Sequence, residues 1–342
     1  MTATVTTVPQ HLRAGLDRLL DGLPPSRAAA AVERLIAGYR GQSPAGAPEL
    51  RDRADAVAYA AYRMPATFEA VAAALGQLAD RLPGWTPGSH LDIGGGTGAA
   101  LWAAAAVWPG ERETTVLDRS APALELGREL AAPSPLPALR GARWQRERLG
   151  ERPQFPHTGL VTVSYLLGEL PRGAQDTLVD AVAAAGRAVV LIEPGTPAGY
   201  LRIRAARDRL TAAGLRVLAP CPHSGQCPVA VGSDWCHFAA RVSRSALHRR
   251  VKGGSLGHED EKFSWVAAVR RDLPDAADEP DGTGASRVVR RPQLRKGQVL
   301  LELCTPGGEL RRETVTKRDK ERYRRARDTT WGDGWPPAGT ED

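Results

Sequence analysis

The sequence has little cysteine, little lysine and no long apolar run. No stretch approaches the roughly 20 apolar residues that a helix needs to cross a bilayer, which excludes a helical membrane span. The first residues also lack the pattern of a secretion signal or of an Arg- and Ser-rich presequence, so we expect a cytoplasmic protein. Only four cysteines occur in 342 residues. Because cytoplasmic thiols are kept reduced, we expect them to be free thiols or metal ligands rather than disulfides.

Length and composition are those of a globular chain. The 342 residues exceed one average domain of about 100–200 residues. Hydrophobic residues make up 42% and charged residues 25%, which is ordinary for a protein with a packed core. The chain is therefore expected to form one α/β domain with extensions, or two domains.

Positive charge is concentrated near the C-terminus. The formal net charge is +7, yet residues 286–327 alone contain 14 basic and 5 acidic residues, so the rest of the chain is slightly acidic. Of the 46 basic residues only five are lysines. An arginine-rich stripe is typical of proteins that contact nucleic-acid phosphates and bases. A solvated helical face gives the same pattern, so charge favours nucleic-acid binding without establishing it.

Three patterns divide the chain. Residues 1–84 read as a helical region with a Pro- and Gly-rich break at 41–48. Residues 85–271 alternate β-rich runs with Ala-rich helices, which predicts a parallel, doubly wound sheet carrying a cysteine-rich insertion at 220–240. After an acidic linker at 272–284, residues 285–335 predict a hairpin around a Pro-Gly-Gly turn and a basic helix at 317–328. The predicted strands are 91–93, 114–117, 160–165 and 188–192, more weakly 142–145, 215–218 and 263–269, and in the hairpin 299–304 and 310–315.

A glycine-rich segment follows the first predicted strand, from His90 to Ala99. Glycine lets a ligand approach the backbone, and the following helix offers unpaired N–H groups at its start. The string fits a dinucleotide-binding pattern and also the first motif of class I methyltransferases. An acid two residues before the first glycine suits the cationic amino-acid end of S-adenosylmethionine and would repel a pyrophosphate. The candidate cofactor residues are Asp92, Gly94, Gly96, Gly98 and Asp118, the last placed to accept ribose hydroxyls. A nicotinamide or flavin site, or a loop that binds nothing, stays open.

No methyl-transfer motif follows the fourth predicted strand. Residues 164–169 contain neither the Asn/Asp-Pro-Pro-aromatic motif of amino-group methyltransferases nor the cysteine nucleophile of cytosine C5 enzymes. Glu169 and Glu193, at the ends of the fourth and fifth strands, are candidates for orienting a substrate or acting as a base. Acids at loop edges are also common as helix caps and solvated groups. Whether the chain is an enzyme therefore stays open.

All four cysteines lie in the C-terminal half. Cys221, Cys227 and Cys236 are separated by five and eight residues, and Cys304 follows after another 67. Four thiolates can hold either Zn²⁺ or an iron–sulfur cluster. The gaps are wider than the two to four residues usual in zinc knuckles, and prolines next to or near these cysteines stiffen the loops. The spacing favours a cluster and leaves zinc, or buried structural thiols, as alternatives.

Several motifs together resemble the methyltransferase-like small-ribosomal-subunit protein family. The best-known members of that family are mitochondrial ribosome assembly factors, and it has bacterial relatives. The likeness extends over about residues 55–335. Its most specific part is the pair Cys-Pro-His at 221–223 and Trp-Cys-His-Phe at 235–238. The remaining segments that carry it are 58–67, 91–98, 191–197, 259–264 and 331–333.

The resemblance implies a class I methyltransferase fold and binding to small-subunit ribosomal RNA during assembly. It also implies a four-iron four-sulfur cluster on Cys221, Cys227, Cys236 and Cys304, with zinc as the alternative metal. Family members are called methyltransferase-like because binding of S-adenosylmethionine does not guarantee turnover. We expect a bacterial, cytoplasmic member in which the cluster pins the basic extension to the methyltransferase core. The alternatives are an active rRNA methyltransferase and a redox-sensing assembly factor, and the sequence does not indicate the oligomeric state.

Overall fold

The computed structural model describes residues 7–21, 23–37, 50–247, 249, 256–273 and 284–336. The predicted break at 41–48 and most of the predicted linker at 272–284 lie outside these residues. Within the described ranges, no helix is both long and apolar enough to cross a membrane.

Three helices precede the first strand: α1 (Val8–Asp21), α2 (Pro25–Ala37) and α3 (Arg53–Arg81). Helix α3 starts where the Asp52 carboxylate accepts a hydrogen bond from the backbone N–H of Asp55, a capping bond that satisfies one of the free donors of the first turn. Its alanine-rich face packs against the first helix of the following domain, so that the chain backbones approach closely. Helix α3 thereby carries Arg63 to the edge of the main sheet.

The main sheet has eight strands in the order β3-β2-β1-β4-β5-β8-β6, with β7 paired to the free part of β8. Strands β1 to β5 are parallel, as predicted, and helices connect most of them. This order is that of class I methyltransferases, and it confirms the fold class expected from the sequence. The strands are β1 (Ser89–Ile93), β2 (Glu113–Asp118), β3 (Arg143–Arg146), β4 (Thr158–Ser164), β5 (Gly186–Pro194), β6 (Arg216–Ala219), β7 (Phe238–Ser243) and β8 (His258–Val269).

The sheet is mixed rather than wholly parallel, which corrects one prediction. Strand β8 runs antiparallel to β5, β6 and β7. It enters the sheet as the partner of β7, the strand just before it in the chain, without a crossover helix, and only such a crossover would return the chain in the parallel direction. The sequence pattern of β8 also understated its length, because residues 258–262 are a continuous polar and charged run without apolar alternation.

Helices cover both faces of the main sheet, and two apolar clusters fill the space between. Strand β5 lies at the centre and is buried on both faces, in keeping with its unbroken apolar run. The helices are α4 (Ala99–Val107), α5 (Ala121–Ala131), α6 (Pro137–Arg140), α7 (Arg172–Ala185) and α8 (Pro197–Ala212).

A second, antiparallel sheet of five strands forms at the C-terminal end. In the region of the predicted hairpin, β11 (Gln298–Cys304) pairs with β12 (Leu310–Thr316), and helix α9 (Lys320–Asp328) follows. Its core contains the inward-facing residues of β11 together with Trp335. Three further strands were not predicted, since two or three residues are too short to show an alternating pattern: β9 (Ser286–Val288), β10 (Gln293–Arg295) and β13 (Gly334–Trp335).

Candidate cofactor cavity and cysteine cavity

The glycine loop forms a tight turn between β1 and α4. Gly94, Gly96 and Gly98 all have positive φ angles, of 68°, 54° and 84°, which side chains of L-residues rarely adopt. At Gly95, a Cβ atom would lie 2.4 Å from the Asp92 carboxylate, so the loop backbone rests directly on that side chain. The loop residues are therefore glycine because of backbone shape and close approach.

Asp92 lies beneath this loop and is fully buried. Its Oδ1 atom accepts a 2.8 Å hydrogen bond from the Thr162 hydroxyl, which also lies 2.8 Å from His90 Nε2, while Oδ2 has no partner. Burial raises the pKa of Asp92 to about 7 and lowers that of His90 to about 3. Asp92 is not among the residues that line the neighbouring cavity. Its expected contact with a bound amino-acid group stays a prediction.

Asp118 stands on the wall of that cavity, at the end of β2. One carboxylate oxygen accepts a hydrogen bond of 2.9 Å from Gly96 N–H, and the other accepts one of 2.8 Å from Ser120 N–H. Each oxygen keeps a further lone pair for a ligand hydroxyl. Burial raises the pKa of Asp118, and these backbone hydrogen bonds oppose the rise.

A cavity of about 280 Å³ opens above the glycine loop. Its walls come from the carboxyl ends of four neighbouring parallel strands, which is where open α/β sheets bind ligands. Both acidic and basic side chains line it. The lining residues are Ile93, Gly94, Leu117, Asp118, Arg119, Glu147, Arg148, Leu149, Tyr165, Leu166, Glu169 and Leu170.

The two candidate acids have different surroundings. Glu169 lines the cavity, and burial raises its pKa to about 7, although Arg119 at 3.8 Å opposes the rise. Glu193 is buried away from the cavity lining and forms a 2.6 Å ion pair with Arg202. Glu169 therefore remains a candidate for a role in the cavity, whereas the position of Glu193 is that of a structural ion pair.

Sequence reasoning missed a polar network beside the cavity. Tyr165 follows β4 with a φ angle of 58°, the one positive value among the described residues other than glycine. Its hydroxyl donates to Glu261 at 3.1 Å, and Glu261 also pairs with Arg63 at 3.2 Å. The Arg63 guanidinium lies 5.7 Å from the centre of the tyrosine ring. The segments around Arg63 and Glu261 both carry the family likeness, but only the fold shows that they meet.

The four cysteines line one cavity at the seam between the two sheets. This cavity measures about 50 Å³, several times the roughly 10–15 Å³ that one water molecule requires. Cys221, Cys227 and Cys236 come from the insertion, and Cys304 comes from the end of β11. The structure thus brings together side chains that are up to 83 positions apart in the sequence.

Histidine and arginine side chains surround the thiols. His223 Nε2 lies 3.5 Å from Cys304 Sγ, and the Tyr200 hydroxyl lies 3.4 Å from Cys227 Sγ. Burial and, to a smaller extent, the nearby Cys221 thiol raise the pKa of Cys304 to about 12. Arg207 and Arg287 oppose the rise. The same arginines oppose the rise that burial causes in the pKa of Cys221.

The structure does not show a metal centre. Across the part of the chain that it describes, no group of three or more His, Cys, Asp or Glu side chains is arranged to hold a metal ion. The predicted cluster and the zinc alternative are therefore not shown.

The basic segment forms the outer surface of the second sheet and α9. Arg287 is the exception, since it is buried and donates to the carbonyl oxygens of Pro220, at 2.9 Å, and Gly332. Arg312 and Arg322 are exposed but paired with Glu302 and Glu313. The basic residues of this segment therefore differ in their surroundings, since some are buried or paired with acids and others are exposed to solvent.

Comparison with known proteins identifies the family. Residues 53–336 match the family described as "Mitochondrial small ribosomal subunit Rsm22". The human protein named "Ribosome assembly protein METTL17, mitochondrial" is 30% identical over 309 residues, covering 83% of this chain and 65% of its own length. The Saccharomyces cerevisiae protein named "Ribosome assembly protein RSM22, mitochondrial" is 25% identical over 183 residues, covering 36% of this chain and 29% of its own length. The chain therefore spans less than two thirds of these relatives.

Solved structures of methyltransferases match this chain at low similarity. The plantazolicin methyltransferase BpumL in complex with SAH is 12% identical with a TM-score of 0.38, over 72% of this chain and 98% of that one. Magnesium protoporphyrin IX methyltransferase from Synechocystis PCC 6803 with bound SAH is 14% identical with a TM-score of 0.37, over 60% and 82%. Similarities this low do not establish the fold class, which rests on the strand order. The family match covers most of the chain, so this protein belongs to the Rsm22 family of mitochondrial small ribosomal subunit proteins.

Proposed function

We propose that this protein is a ribosome assembly factor that binds small-subunit rRNA and carries a four-iron four-sulfur cluster on Cys221, Cys227, Cys236 and Cys304. Family membership supports the ribosomal part, since related proteins are named as ribosome assembly proteins. The surplus of cations between residues 286 and 327 supports RNA as the partner. Its place as a bacterial, cytoplasmic member remains a prediction, because the relatives compared are named as mitochondrial.

The cysteine cavity is the observation that best supports the proposed cluster. Four sulfur ligands from two distant segments face one space, and an apolar core would have closed a gap of this size. A cluster held by four thiolates has a net negative charge, which an apolar cavity tolerates only beside cations. Arg207 and Arg287 both line the cavity and are buried, and Arg207 Nε has no hydrogen-bond partner. The residues present therefore fit an anionic cluster.

The cluster is proposed to have a structural role. When bound, it supplies four metal–sulfur bonds that join the insertion after β6 to the end of β11. The chain already makes weaker connections across this seam, through Arg287 to Pro220 and through Arg290 to Asp234. Loss of one ligand should thus loosen the second sheet, and with it the basic surface, from the main sheet.

Iron analysis separates the two metals. The protein, purified without oxygen, should contain close to four irons and four sulfides per chain. A Leu310→Ala variant serves as a control, because Leu310 lines the same cavity without offering a ligand and should keep the cluster. One zinc per chain with no sulfide would support the alternative metal and overturn the cluster.

Methyl transfer to rRNA is the second candidate function, and the cavity above the glycine loop favours it. S-adenosylmethionine, when bound, supplies an electrophilic methyl group. The glycine loop would let this ligand approach the protein backbone, and Asp118 would accept hydrogen bonds from its ribose hydroxyls. Glu169 lines the same cavity. Single-turnover transfer of a labelled methyl group to small ribosomal subunits, with Asp118→Ala as the inactive control, distinguishes an enzyme from a protein that only binds.

A further inference from the structure

Two turns of the second sheet bring cations together at one corner. Arg295 ends β10 and Lys296 begins the turn to β11, and the chain after β12 contains Lys317 and Arg318. The backbone N–H of Lys317 donates to the carbonyl oxygen of Gly297 at 3.1 Å, which holds the two turns side by side. All four side chains are exposed.

Helix α9 extends this charge in a row. Lys320, Arg324 and Arg327 are spaced four and three residues apart, so they lie along one face of the helix. All three are exposed, and among the described residues none has an acidic partner within ion-pair distance. Arg322 and Arg325, in contrast, bind Glu313 and Glu321.

The second sheet and α9, residues 284–336, have no fully exposed aromatic ring. Between residues 284 and 336, Trp335 is buried and Tyr323 is only partly exposed, with the Lys317 ammonium 5.8 Å from its ring centre. Trp331 is also only partly exposed, and its ring packs against His237 and Phe238. The surface therefore presents mainly charge, with no fully exposed ring on which bases stack.

We propose that this basic corner binds the phosphate backbone of double-helical RNA in preference to single strands. The basic corner consists of Arg295, Lys296, Lys317, Arg318, Lys320, Arg324 and Arg327. The inference rests on the proposed function, in which the protein binds rRNA, and it specifies the form of RNA that is bound.

Two physical effects favour a duplex over a single strand on this surface. Proteins that bind single strands gain affinity when bases stack on exposed aromatic side chains, and this surface offers only partly exposed rings. A double helix presents two strands of phosphates in a fixed arrangement, so the row on α9 meets charges that are already ordered. A single strand must be ordered on binding, at an entropic cost.

Fluorescence anisotropy with two probes tests the proposal: a 20-base-pair RNA duplex, and one of its strands in an unstructured sequence. The full-length protein should bind the duplex at least about tenfold more tightly at the same salt concentration. A triple variant, Lys320→Gln, Arg324→Gln and Arg327→Gln, should weaken duplex binding and flatten its salt dependence, by about 0.9 in the log–log slope for each phosphate that the variant no longer neutralises. The control pair Arg311→Gln and Arg312→Gln removes exposed cations that already have acidic partners.

The outcomes separate the inference from the proposed function. Equal or tighter binding of the single strand would overturn the duplex preference while leaving rRNA binding intact. An equal effect of the control pair and the triple variant would overturn the role of the row on α9. Binding of neither probe would contradict the proposed function itself.

Discussion

Buried carboxylates at the carboxyl ends of the strands set the electrostatics of the cofactor cavity. Burial raises the pKa values of Asp92, Asp118, Glu169 and Glu193. Arg202 pairs with Glu193, but Asp118 and Glu169 both face the cavity. Acids held in such surroundings are stabilised as anions by a cationic ligand, and S-adenosylmethionine carries a sulfonium and an ammonium group.

Glu169 should make the binding of S-adenosylmethionine depend on pH. With a pKa of about 7, its ionised fraction rises from roughly 0.1 at pH 6 to roughly 0.9 at pH 8. Because the ionised form attracts a cation, affinity for S-adenosylmethionine should increase over this range, by up to about ninefold. Calorimetry at the two pH values measures the ratio, and Glu169→Gln should reduce it.

A second variant controls for the loss of charge alone. Glu147 lines the same cavity, and Glu147→Gln should leave the ratio of affinities at pH 8 and pH 6 close to that of the unmodified protein. If Glu169→Gln and the unmodified protein gave the same ratio, Glu169 would have no part in binding the donor.

The candidate site was predictable where it is local in sequence. Asp118 and the glycine loop follow directly from the strand–loop–helix pattern, and the structure places them at one cavity. The network of Tyr165, Glu261 and Arg63 was not predictable, because its bonds join residues 96 and 198 positions apart. The sequence correctly placed Asp92 and Glu193 at strand ends. It did not predict that both are buried, because their burial depends on the packing of other elements.

At the scale of elements, Arg287 on β9 joins the two sheets. Replacing it by methionine should leave the carbonyl oxygens of Pro220 and Gly332 without this donor, at a cost of about 1–3 kcal/mol for each buried group. Urea unfolding should therefore show a clear loss in the free energy of unfolding for Arg287→Met. Arg291→Met, an exposed neighbour, should stay within about 0.5 kcal/mol of the unmodified protein. Equal stability of the two variants would show that Arg287 does not hold the seam.

Elements with a strong pattern were predictable, and those that depend on pairing were not. Four of the five parallel strands and the hairpin of β11 and β12 follow from apolar runs and turn residues, whereas β3 has no apolar run and was predicted only weakly. The antiparallel direction of β8 depends on its pairing with β7. The short strand β9 pairs with β11, and β13 pairs with β9, so both depend on partners that are distant in the sequence. Short strands of this kind are fixed by tertiary contacts rather than by local propensity.

At the scale of the whole molecule, the cysteine cavity lies between the two sheets, which carry different candidate sites. The main sheet holds the candidate cofactor cavity, and the second sheet holds the basic surface. Cys304 connects them, because it ends β11 and faces the three cysteines of the insertion. A metal centre there would make the position of the basic surface depend on all four thiols.

The most direct test replaces Cys304. Cys304→Ser and the unmodified protein should be purified without oxygen and compared for cluster absorbance and for affinity toward small-subunit rRNA. The account predicts that the variant loses both together, while circular dichroism shows that the main sheet stays folded. RNA binding that persists at full strength in a folded Cys304→Ser protein without a cluster would contradict it.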